Sequence, residues 1–298
     1  PYTSSLTDLI LEGLKVRYPF LISGCIGKSV MGREVCYLQF GEGETQVCYN
    51  ACFHANEWIT TPILLKFAEA YAKAYAEGED LYGEDTKELF QQYSLFLIPM
   101  VNPDGADLVN GMIRSEEYLE QTMAIAADYP TIPYPDGWKA NINGVDLNLQ
   151  FPAGWENARD IKFAQGYTSP APRDFVGEAP LSAVESINMY HFTTAHDFQL
   201  ILAYHTQGEV IYWKYLDYEP ARSRRIAEYF GKVSGYQVEE TPYASGYAGY
   251  KDWFIETYNR PGYTIEAGRG TNPLSMSQFP EIYDDNRLIL VGGMTQLF

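Results

Sequence analysis

Positive charge is scarce in this chain. Lys and Arg number 21 against 39 Asp and Glu, a formal net charge of −18 at pH 7. So acidic a surface repels a phosphate backbone, and no nucleic-acid partner is expected. Long apolar runs are missing as well. No segment approaches the roughly 20 residues that a spanning helix needs, so no membrane span is expected. No charged-then-apolar leader is legible behind Pro1. The chain opens without Met, as a processed or trimmed product would. No G-x-S-x-G elbow occurs, which disfavours a serine α/β-hydrolase. Gly27-Lys28-Ser29 lacks the upstream glycine of a P-loop.

Cysteine is rare too. The four are Cys25, Cys36, Cys48 and Cys52, all on expected strands. Their spacings match no common zinc finger. They read as buried free thiols, with one strand-to-strand disulfide as the alternative. Histidine is equally rare, at His54, His191, His196 and His205. His191 and His196 fall within or at the end of an expected helix and read as surface or capping residues.

What is abundant is apolar and aromatic. Hydrophobic residues make up 46% of the 298, enough for a sizeable core, and 25 residues are tyrosine. Several tyrosines neighbour glycine loops, which suits a groove for a polar, extended ligand. No repeat or linker is visible, so one α/β domain over 1–298 is expected.

Along the chain, residues 4–18 read as an amphipathic helix, with Leu6, Leu9, Ile10, Leu14 and Val16 as its buried candidates. Strands are expected at 20–27, 34–41 and 45–53, then helices at 57–77 and 85–92. Ser94–Val101 is an apolar strand ending in Asn102-Pro103-Asp104-Gly105, which reads as a turn. A helix follows at 115–128. Residues 129–180 show no strong periodicity, and a loop that long is often functional. Helices at 181–196, 218–234, 251–258 and 278–297 alternate with strands at 198–204, 209–213 and 262–265.

The stretch Val47–Trp58 organises the rest. It begins as a β-branched and aromatic strand and ends in His54-Ala55-Asn56-Glu57, where a helix takes over. Ligands in α/β proteins bind at the carboxyl ends of strands. An imidazole and a carboxylate three residues apart there can both turn toward one Zn²⁺. Alone such a pair is common. Here His205 ends another apolar strand and supplies a third ligand. Glu266, at the end of a further strand, is the candidate general base.

Five pieces now fall in a familiar order: His54-Ala55-Asn56-Glu57, Asn102-Pro103-Asp104-Gly105, Gly144-Val145-Asp146-Leu147-Asn148, His205 and Thr264-Ile265-Glu266. In this order they resemble the zinc carboxypeptidase A-like metallopeptidases. The resemblance implies a three-layer α/β/α sandwich around a mixed, mostly parallel twisted sheet. It implies one zinc held by His54, Glu57 and His205, with Glu266 as base. It also implies that Lys139, after Trp138, stands where the family has an oxyanion-stabilising Arg. A Lys supplies that charge as a point and not as a fork.

A second departure concerns specificity. The family's carboxypeptidases follow the Asn of this motif with an Arg that clamps the substrate's terminal carboxylate. Here Leu149 follows Asn148, and Leu makes no charge-assisted fork. The run Gly-Val-Asp-Leu-Asn-Leu-Gln-Phe-Pro-Ala resembles the γ-D-glutamyl-L-diamino acid peptidase branch, which cuts peptidoglycan stem peptides. That branch implies such a peptide as partner, and a bacterial envelope or secreted location rather than a cytoplasmic one. Aligning Asp252-Trp253 with the family's Asp-Trp pair puts Lys251 at the bottom of the pocket beyond the cut. There it is expected to pair with the distal carboxylate of diaminopimelate. Asn148, Lys251, Tyr243 and Tyr247 are the expected substrate-binding residues. A carboxypeptidase on ordinary peptides, a small-amide deacylase and a non-catalytic cell-wall peptide binder are the alternatives.

Overall fold

The computed structural model describes residues 1–298. Ten strands occur. They are β1 (Ile22–Lys28), β2 (Glu34–Phe40), β3 (Thr45–Ala51), β4 (Asp80–Leu81), β5 (Glu84–Asp85), β6 (Tyr93–Ile98), β7 (Phe198–His205), β8 (Val210–Tyr212), β9 (Gln237–Glu239) and β10 (Gly262–Glu266). The strands β4 and β5 form a small separate hairpin. The other eight make one sheet in the order β1-β2-β6-β3-β7-β10-β8-β9. Its centre, β6-β3-β7-β10, is parallel throughout. Antiparallel pairings join β1 to β2, β2 to β6 and β10 to β8.

Side chains alternate across a strand, so a strand covered on both faces must be apolar throughout. The central strands meet that condition. Val47, Tyr49, Leu95, Leu97, Leu200 and Leu202 join one large core cluster. Their neighbours Cys48, Phe96, Ile98, Ile201 and Ala203 join a second. The helices Thr60–Glu77, Ser223–Ser234 and Phe279–Thr295 bury side chains in the first cluster. The helices Val184–Thr194 and Tyr250–Tyr258 bury theirs in the second. The result is the expected α/β/α sandwich around a mostly parallel sheet.

Four expectations need correction. In the first helix, Ser4–Arg17, Leu9 and Val16 are exposed, and the buried face is Ser4, Thr7, Leu11 and Leu14. Ser4 and Thr7 hide this stripe in the sequence because they are polar. Ser4 is buried by donating from N and Oγ to Asp107, at 2.8 and 2.6 Å. Asn102-Pro103-Asp104-Gly105 is the start of a helix, Pro103–Val109, and not only a turn. Asn102 caps it, accepting from Gly105 N at 3.0 Å. The segment 129–180 contains a regular helix, Trp155–Ala164, and a 3₁₀ turn at Leu147–Leu149. All four cysteines are free, and Cys25 is exposed.

Candidate metal centre and cleft

Parallel order brings the carboxyl ends of β3, β7 and β10 to one edge of the sheet. The turn after β3 carries His54 and Glu57, β7 ends at His205, and β10 ends at Glu266. Thr60 braces that turn, its hydroxyl donating to Glu57 O and accepting from Cys52 N. Ala55 N donates to Lys139 O at 2.9 Å, so the turn is stitched to the segment that carries Lys139. Asn102 donates to both Phe53 O and Ala140 O, tying the same two segments a second time. Gly105 allows this close approach. A Cβ there would stand 2.7 Å from Ala140 O and 2.8 Å from Ala55 Cβ.

Glu57 is buried, and both histidines turn toward it. His54 Nδ1 lies 3.0 Å from Glu57 Oε1 and His205 Nδ1 lies 3.0 Å from Glu57 Oε2. The two Nδ1 atoms are 3.3 Å apart. At that distance they cannot both carry a proton directed at the other, and a cation shared between them removes the conflict. The ligand atoms of His54, Glu57 and His205 all fall within 4.8 Å of one another. Two imidazole nitrogens and one carboxylate are a donor set of the catalytic zinc type. Behind it, His54 Nε2 lies 3.0 Å from Asp146 Oδ1, which fixes the ring and leaves Nδ1 for the metal.

Charge reinforces this arrangement. Burial works against a cation on His54, but the carboxylates of Glu57 and Asp146 outweigh it and push the imidazole up to about 9. Burial would raise Asp146, yet the His54 ring and its hydrogen bonds hold it well below the usual carboxylate range. Burial raises Glu266, with help from the Glu57 charge and against the pull of His205. Lys139 donates to Glu57 Oε1 at 2.7 Å, so its ammonium stands directly beside the metal-binding carboxylate.

A cavity of about 190 Å³ opens over these groups. His54, Lys139, Asn148, His205, Lys251 and Glu266 all line it. Tyr243 and Tyr247 do not. Tyr243 is exposed in the neighbouring loop, and Tyr247 packs on the apolar cluster of Leu149, Trp155, Ala158, Val176 and Ala248. Asn148 Oδ1 already accepts from Tyr250 N at 3.0 Å, so it also anchors the helix Tyr250–Tyr258. Leu149 is buried in that same cluster, with no polar group to offer a terminal carboxylate.

Lys251 is in the cleft but is not the lone ammonium expected. It is buried, donates to Lys214 O at 2.7 Å and Thr241 Oγ1 at 3.3 Å, and pairs with Asp252 Oδ1 at 2.8 Å. Three charged residues of the cleft went unread in the sequence: Lys162, Arg173 and Asp174. Arg173 Nε donates to Asp174 Oδ2 and Lys162 Nζ pairs with Asp174 Oδ1, each at 2.6 Å. Asp174 N in turn donates to Asp146 Oδ2 at 3.1 Å, which links this triad to the carboxylate behind His54.

The chain is similar to known proteins in sequence and in fold. Over 293 residues the chain is 43% identical to γ-D-glutamyl-L-diamino acid endopeptidase 1 of Lysinibacillus sphaericus, covering 98% of this chain and 72% of that protein. Over 293 residues it is 42% identical to the uncharacterized protein YqgT of Bacillus subtilis strain 168, covering 97% and 76%. The carboxypeptidase A structure from Helicoverpa armigera superposes with a TM-score of 0.71. It covers 99% of this chain and 73% of that one at 19% identity, a likeness of fold alone. The zinc carboxypeptidase family model matches residues 9–288. With its sandwich fold, its His54–Glu57–His205 donor set and this match, the chain belongs to the zinc carboxypeptidase family of metallopeptidases.

Proposed function

We propose that the chain hydrolyses the amide bond between a γ-linked D-glutamyl residue and a diamino acid in peptidoglycan stem peptides. The observation that carries this reading is its 43% identity, over nearly its whole length, to a peptidase named for that bond. Leu149 supports it from the structure, because the position expected to clamp a terminal carboxylate is buried in an apolar cluster.

His54, Glu57 and His205 would hold the zinc, which would supply a Lewis acid for the scissile carbonyl and lower the pKa of a water at the site toward neutrality. Glu266 takes the proton from the attacking water on its carboxylate and returns it to the leaving amine nitrogen. Lys139 places positive charge where the carbonyl oxygen becomes anionic. Asp146 keeps the His54 ring in the tautomer that leaves Nδ1 free of a proton. Lys251 and Asp252, paired with each other, line the cleft and give it a polar character that suits the far end of diaminopimelate. We propose a location in the cell envelope or outside the cell, where assembled peptidoglycan lies.

The test compares one γ-D-glutamyl-diaminopimelate stem peptide with a free and with an amidated terminal carboxylate. Similar kcat/KM on both supports the proposal, because no clamp reads the terminus. Loss of cleavage on amidation would make the chain a carboxypeptidase.

A further inference from the structure

A γ-linked glutamyl residue differs from an ordinary one in what it leaves free. Its side-chain carboxyl is spent in the scissile amide, so its α-carboxylate remains free and charged, separated from the scissile carbonyl by Cα, Cβ and Cγ. A site for such a residue gains selectivity by pairing that charge. Leu149 does not supply a cation, and Lys251 is committed to Lys214 O, Thr241 Oγ1 and Asp252. Lys139 is committed to Glu57.

Arg173 is different. Its Nε is tied to Asp174 Oδ2, and Nη1 and Nη2 have no partner in the protein. Its side chain is 42% exposed and lines the cleft with His54, Lys139 and Glu266. The other oxygen of Asp174 is taken by the buried Lys162, so the carboxylate that orients Arg173 is itself fixed. The backbone is fixed as well. Pro172 O accepts from Lys139 N at 2.7 Å and Ala140 N at 2.9 Å, which sets Arg173 against the residue that faces the scissile carbonyl. Asp174 adopts a φ of 65°, a left-handed conformation that its hydrogen bond to Asp146 holds in place. A guanidinium oriented through Nε presents its two terminal nitrogens as a planar fork, the shape that matches a carboxylate.

We propose that Arg173, oriented by Asp174 and Lys162, binds the free α-carboxylate of the γ-linked glutamyl residue and selects substrates by that charge. The inference rests on the proposed γ-glutamyl hydrolysis and adds the group that reads it.

The experiment uses two stem peptides identical except at the glutamyl α-carbon, one with a carboxylate and one with a carboxamide. The zinc-loaded wild type should favour the carboxylate by about 10- to 100-fold in kcat/KM, the range of a charge-assisted fork. In Arg173→Met that ratio should fall to about one, with zinc content still one per chain as evidence of an intact fold. Arg173→Lys, which keeps charge without the fork, should recover part of the ratio. A wild type that cleaves both peptides equally overturns the inference while leaving the γ-glutamyl reading intact. So does a full preference retained in Arg173→Met and lost in Lys139→Met, which would move the role to Lys139. A wild type that cleaves neither peptide overturns both.

Discussion

Glu266 and His205 are direct Cα partners in the parallel register of β10 and β7. The proposed base is thus placed by the same hydrogen-bonded ladder that places a metal ligand, with no loop between them. Glu266 needs only its carboxylate to act, so Glu266→Gln should cut kcat by about 10²- to 10⁴-fold, the usual worth of general-base catalysis. Zinc content should stay at one per chain. Near-normal turnover in the variant would assign the base elsewhere.

His205 supplies one of two nitrogen ligands from a buried strand end. His205→Ala removes it and leaves Glu57 with one imidazole. Metal analysis after dialysis should find far less than one zinc per chain, and turnover should fall with it. A full equivalent of zinc would refute the ligand set.

Lys139 stands beside Glu57 with its ammonium in the cleft. Lys139→Met should lower kcat by about 10²- to 10³-fold, the typical worth of an oxyanion-stabilising group. KM should change much less. An effect confined to KM would make Lys139 a binding residue only.

Zinc uptake should depend on pH with a definite sign. In the metal-free chain the His54 imidazole is raised to about 9 by Glu57 and Asp146 against the cost of burial. Zinc needs His54 Nδ1 without its proton, so binding near pH 7 must release a proton. Affinity should therefore climb with pH and level off above about 9. Calorimetry of zinc binding in buffers of different ionisation enthalpy measures the release. No proton released at pH 7 would contradict the charged His54 pair.

Much of this site was legible before the fold was known, for a physical reason. The central strands are buried on both faces, so they stand out as apolar runs, and His54, His205 and Glu266 stand where those runs stop. What was not legible depends on contacts between distant segments. The helix Trp155–Ala164 has a narrow apolar face, completed by Leu149, Val176 and Ala248 from elsewhere in the chain. Arg173 and Asp174 belong to a loop without period, and the second partner of Asp174, Lys162, lies on that unrecognised helix. Lys251 was placed in the cleft correctly, but the carbonyl of Lys214 that engages it is invisible in sequence. The tyrosine-rich loop does reach the cleft, through Thr241, Pro242, Ser245 and Gly249, while Tyr243 and Tyr247 line the adjoining cavity.

The most direct test is mass spectrometry of the products when the zinc-loaded chain meets a γ-D-glutamyl-diaminopimelate stem peptide. The account predicts one cut, between the γ-carbonyl of the glutamyl residue and the diaminopimelate amine, abolished by a chelator and restored by zinc. Stepwise loss of residues from the carboxyl terminus, with the γ-glutamyl bond intact, would contradict it.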